Sequence, residues 1–230
     1  MSSPLTYEFC PPDHPTIRFE FELNDGQYKL IASDQTPPPW AELGFQQCHH
    51  CPYQDNSSPR HCPAAVQLAK VLKAIDHLVS YDAVDVIVKS EQRTVTQASS
   101  AQEAISSLLG LVLASSGCPH TEFLRPMARF HLPMASADET LWRACSSYML
   151  AQYFRQKNGE HPEGLEGLLR RYEHLEVLNT YLAKRLRSQV DQDACLNAIT
   201  LLDSYAKRLP HYIKHAVEEL KPLYQSYLMT

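Results

Sequence analysis

Glycine is scarce in this chain, with seven in 230 residues. No phosphate loop, dinucleotide fingerprint or Gly-X-Ser-X-Gly elbow occurs. Each needs glycines at fixed spacing, where the backbone turns sharply or approaches a ligand closely. Positive charge is also short. Lys and Arg total 21 against 26 Asp and Glu, for a net charge of −5. A broad basic face for nucleic acid or an anionic membrane is therefore not expected. Long apolar runs are missing too; none reaches the ~18 residues of a membrane-spanning helix. The opening Met-Ser-Ser-Pro-Leu-Thr has no basic segment leading into an apolar run, so no secretory signal is expected. These absences predict a cytoplasmic protein with no membrane and no nucleic-acid partner.

Cysteine is what the chain has instead. Seven is an odd number, and in a reducing compartment such thiols stay free unless a metal takes them. Four stand out: Cys48-His49-His50-Cys51-Pro52, then His61-Cys62-Pro63, and far downstream Gly117-Cys118-Pro119. A Cys-X-X-Cys turn brings two sulfurs within reach of one ion. Thiolate donors select zinc or iron–sulfur. Cys48, Cys51, Cys62 and Cys118 are therefore read as one metal site, with His49, His50 and His61 as rival ligands. Zinc is the expected cofactor and a [4Fe–4S] cluster the alternative. The competing reading is a reduced loop of buried thiols. A thioredoxin-type role fits poorly, because that motif opens a helix after a strand and this one lies between irregular segments.

The chain around the cluster reads as α+β. Ile17 to Leu23 alternates apolar and polar residues, Asn24-Asp25-Gly26 signals a hairpin, and Tyr28–Ala32 returns. Leu5 to Phe9 is a further strand. Residues 33–62, with Pro37-Pro38-Pro39, form a long irregular connection of a kind that is often functional. A helix begins at Pro63 and carries its apolar face to Val79. Ala83–Val88 and Arg93–Ala98 form a second hairpin. Ser99 or Ser100 caps the next helix, Ser100 with Glu103 having capping-box spacing, and Ser136 with Glu139 has the same spacing at the start of a later helix. Helices are also expected over Gly164–Gln189 and Gln192–Leu209, with Pro210 kinking or restarting the last segment. The overall expectation is N-terminal β-hairpins with a cysteine-rich metal-binding loop over residues 1–118, then a C-terminal antiparallel helical bundle over 119–230, as two domains or one continuous one.

Two weaker groupings remain. Arg125, Arg129 and His131 concentrate positive charge in one short segment, which suits an anion. The competing reading pairs both arginines with local carboxylates such as Glu122, Asp138 or Glu139. His211 and His215 share a helix face at the spacing of a metal pair.

The run Cys48-His-His-Cys51-Pro, His61-Cys62-Pro-Ala, Ser116-Gly-Cys-Pro, Arg125-Pro-Met-Ala-Arg-Phe-His-Leu-Pro133 and Ala151-Gln-Tyr-Phe-Arg-Gln156 resembles a family of bacterial proteins of unassigned function. The resemblance implies a cytoplasmic bacterial protein and supplies no reaction. The leading expectation is a non-enzymatic protein with a structural zinc site. Its C-terminal helices meet a protein partner or a second copy of the chain. The alternatives are an iron–sulfur redox or sensor protein, and an enzyme acting on an anionic substrate at Arg125, Arg129 and His131.

Overall fold

The computed structural model describes residues 4–31, 36–54, 59–75, 77–188 and 193–229. Its N-terminal part is a five-stranded antiparallel sheet, and the remainder is mostly helical. The strands are β1 (Leu5–Cys10), β2 (Ile17–Asn24), β3 (Gln27–Ile31), β4 (Ala83–Lys89) and β5 (Thr94–Ser100), in the order β3-β2-β1-β4-β5. The alternation in the sequence explains the sheet's two faces. Leu5, Tyr7 and Phe9, Ile17, Phe19 and Phe21, and Val84, Val86 and Val88 are all buried. Tyr7 stands opposite Phe19 on one side and Val88 on the other. Glu8 points the other way and accepts a 2.7 Å hydrogen bond from Lys89. The β2–β3 turn has positive φ at both Asp25 (50°) and Gly26 (75°), as a two-residue hairpin requires.

The helices are α1 (Pro63–Leu72), α2 (Ala101–Ala114), the short α3 (Arg125–Arg129), α4 (Ala137–Lys157), α5 (Glu166–Arg187), α6 (Asp193–Leu220) and the terminal α7 (Gln225–Leu228). α2 touches β3, β4 and β5 as well as α6, so it forms the middle layer. Its sequence fits that position, with Ala104, Ile105, Leu108, Leu109, Leu111 and Val112 apolar on every side. α5 packs on α6, and α6 also meets α4. Buried residues from Leu5 to Ile213 form one contiguous core. Among the described residues, no helix is long and apolar enough to cross a membrane.

Several expectations are corrected. β1 pairs with both β2 and β4 and so joins the two expected hairpins into one sheet, a pairing the strand readings left open. α1 stops at Leu72; Ile75 and Leu78 are buried from a non-helical segment. Of the two candidate caps, Ser100 precedes α2 but makes no side-chain cap, and Ser99 Oγ donates to Glu103 Oε2 at 3.0 Å. The Ser136–Glu139 capping box is present in full. α3 was not expected, since Pro126 reads as a breaker; it sits in the first turn, where no intrahelical amide is needed. α6 runs as one helix through position 210. Ala32, Gln189 and Gln192, and the side chains of Cys195, His211 and His215, lie outside the described residues.

Candidate metal centre

The irregular segment is closed at its base by backbone pairing. Leu43 N donates to Arg60 O at 3.0 Å and Cys62 N to Ala41 O at 2.8 Å, with an isolated bridge between Glu42 and His61. Trp40 and Ala41 are buried and anchor this base in the core. Cys62 is the residue before α1, with Pro63 in the helix's first turn. That position ties the cysteine to the start of a core helix. Cys48 and Cys51 share a tight turn, closed by Cys51 N to Cys48 O at 3.0 Å. Gln47 Nε2 braces that turn on Tyr53 O at 2.7 Å.

Cys118 arrives from the end of α2. Gly117 takes φ +83°, the left-handed conformation that a helix terminus needs and glycine supplies without strain. The Cys118 amide then donates to Ser116 Oγ at 3.2 Å, and its carbonyl accepts from Thr121 N and Oγ1 at 2.9 and 3.0 Å. Cys62 and Cys118 are buried, while Cys48 and Cys51 are half-buried.

The four sulfurs share one electrostatic neighbourhood. Burial pushes the Cys48 thiol up to about 12, and the charges of Cys62, Cys51 and Cys118 add to the rise. Burial likewise pushes Cys118 up to about 11. Backbone hydrogen bonds from His120 and Thr121 oppose this, and Cys62 and Cys51 reinforce it. Tyr53 is raised by burial first and then by Cys118, Glu122, Cys51 and Cys62. Among the described residues, however, no group of three or more His, Cys, Asp or Glu side chains stands in metal-holding geometry. The donor set is soft and anionic when ionised, which is zinc or iron–sulfur chemistry.

Arg185 of α5 completes the surroundings and carries no signal in the sequence. It is 2% exposed. Its Nη1 donates to Trp40 O and Glu42 O at 2.7 and 2.8 Å, and Nη2 to Leu43 O at 3.0 Å. Burial lowers its pKa, while the nearby Cys62, Cys48 and Cys51 hold it up. Among the described residues no carboxylate lies within ion-pair distance of it.

The rival histidine ligands have other neighbours. His50 stacks on His120 with ring centroids 3.9 Å apart, and both rings meet His174 edge-on. His50 Nε2 donates to His174 O, and His120 Nε2 to His50 O, each at 3.1 Å. Burial lowers the pKa of both His50 and His120. His49 faces Tyr181, with Nδ1 3.5 Å from the hydroxyl. The His61 backbone forms the β-bridge to Glu42. His120, His174 and Tyr181 were not anticipated. His120, two residues from Cys118, had a positional signal; the other two had none.

The positive segment divides among three partners. Arg125 pairs with Glu122 at 2.6 Å, which is the local-carboxylate reading. Arg129 lies over the Phe130 ring, 5.5 Å from its centroid. His131 is buried, with Nε2 2.5 Å from the Tyr7 hydroxyl.

A family model described as a domain of unknown function, DUF6901, matches residues 5–225. The chain belongs to this family. The match takes in the whole sheet, all four cysteines and the helices through α6. No curated protein and no solved structure matches the chain.

Proposed function

We propose that Cys48, Cys51, Cys62 and Cys118 bind one zinc ion as thiolates, and that the ion is structural rather than catalytic. It would tie the irregular connection to the end of α2 and so fix the sheet against the helices. Arg185 carries this reading. A buried guanidinium without a carboxylate needs counter-charge, and four thiolates around Zn²⁺ leave a surplus of negative charge beside it. Its three hydrogen bonds to the loop base at Trp40, Glu42 and Leu43 make the same side chain a second tie. An iron–sulfur cluster on the same thiolates is the competing cofactor.

The C-terminal helices supply the second half of the proposal: an antiparallel bundle whose outer face meets a second copy of the chain. Leu150 and Phe154 stand exposed one turn apart on α4, beside exposed Met149 and Tyr153. Aromatic and methionine side chains favour interfaces.

Amide hydrogen exchange with and without a zinc chelator tests the structural role. Chelation is expected to speed exchange at the Cys51, Leu43 and Cys62 amides by tenfold or more while the β1–β4 amides change little. Equal protection in both states removes the structural role. Light scattering that gives only the monomer mass removes self-association.

A further inference from the structure

A second feature lies between α2 and the helices around it. A cavity of about 470 Å³ opens between α2, α3, the 131–136 loop, α5 and α6. That volume falls within the range of small-molecule sites. Its wall is mainly apolar, formed by side chains such as Leu111, Leu124, Met127, Leu175, Leu201 and Leu202.

Three observations mark it as a built site. The first is Arg143, half-buried in the wall. Its Nη2 donates to Met127 O and Phe130 O at 2.7 and 2.9 Å, which aims the guanidinium. Among the described residues no carboxylate pairs with it within ion-pair distance. The second is Asn179, 2% exposed, whose Oδ1 in the same wall has no hydrogen-bond partner among the described residues. A buried acceptor in that state is costly and calls for a donor. The third is Gly110, in the interior of α2 and lining the cavity. Glycine weakens a helix interior. No close packing requires it here, because a Cβ built on Gly110 meets nothing within 4 Å. Its missing side chain leaves the cavity open.

We infer that this cavity binds an amphipathic monocarboxylate, with its carboxylate on Arg143, its apolar chain along the leucine wall and a hydroxyl or N–H group directed to Asn179. The opposite charge suits a guanidinium that has no ion pair within contact distance among the described residues and offers a planar fork to a carboxylate. Glu139, one turn before Arg143 on α4, is its nearest charge partner, but that carboxylate is engaged in the capping box, accepting from Ser136 N at 2.8 Å.

Calorimetric titration of the full chain with dodecanoate, 3-hydroxydodecanoate and dodecanol tests this inference. Both acids are expected to saturate one site, the hydroxy acid more tightly, and the alcohol to bind at least tenfold more weakly. Gly110→Phe places a ring in the cavity and should abolish binding without lowering the melting temperature. Arg143→Gln should weaken the acids tenfold or more and leave the alcohol unchanged; Arg143→Lys should restore part of the loss. No saturable binding of either acid overturns the inference, as does wild-type affinity in both Gly110→Phe and Arg143→Gln.

Discussion

Replacing Arg185 with methionine is expected to lower the unfolding free energy by roughly 3–5 kcal/mol, the range for removing one member of a buried charged network. Methionine fills much of the same volume, so the loss reports charge and hydrogen bonding rather than a hole. Three carbonyls, on Trp40, Glu42 and Leu43, lose their donor together. Cys48 loses the cation that opposes the rise in its pKa. Arg185→Lys should recover only part of the loss, since one ammonium cannot reproduce a planar fork spanning three acceptors. Urea unfolding of the metal-loaded protein measures both variants. A loss below about 1 kcal/mol for Arg185→Met, the scale of an exposed ion pair, would mean the guanidinium is incidental to the loop.

His131 sets the second large effect, on acid stability. Burial pushes its pKa from 6.5 down to about 3, and the charge of Arg143 pushes the same way. The folded chain therefore keeps the ring neutral, while the unfolded chain takes up a proton below 6.5. Between those two values the unfolded state binds more protons, so stability falls as pH falls. The slope reaches about 1.4 kcal/mol per pH unit. Above 6.5 both states are neutral and this contribution to the slope vanishes. His50 and His120 are shifted in the same direction, so a comparison is needed to isolate His131. Going from pH 7 to pH 5, wild type should lose about 2 kcal/mol more than His131→Gln. Parallel curves for the two proteins would show that His131 is protonated in the fold.

The local features of this fold were legible because short-range chemistry fixes them. Strand alternation placed Ile17, Phe19 and Phe21 on the buried face, Asp25-Gly26 made the turn, and Ser136 with Glu139 made the cap. What failed was long-range or competitive. Nothing in the residues of β1 says that it pairs on both edges, since that depends on where β4 returns. Ser99 and Ser100 offer Glu103 two similar hydroxyls, and the geometry at the β5–α2 junction chose the first.

The same division runs through the candidate sites. Cys48, Cys51 and Cys62 announce themselves by spacing. Cys118 was reachable only by chemistry, and the structure places it among the others' electrostatic neighbours. Arg185 and His174 lie more than a hundred residues from the loop they touch, on one helix, α5, whose pattern gives no reason to single them out. The cavity had a faint signal in Gly110, an isolated glycine within the apolar run of α2. A glycine in that setting reads as a tolerated defect until the space in front of it is seen.

Metal analysis with a visible spectrum, on protein purified without oxygen, tests the central claim most directly. About one zinc per chain, no visible absorption, and loss of that zinc in Cys62→Ser and Cys118→Ser is the predicted result. Iron with sulfide and a brown colour would keep the four ligands but replace a structural ion with a redox cluster. Protein with no metal, or zinc retained in both variants, would contradict the site itself.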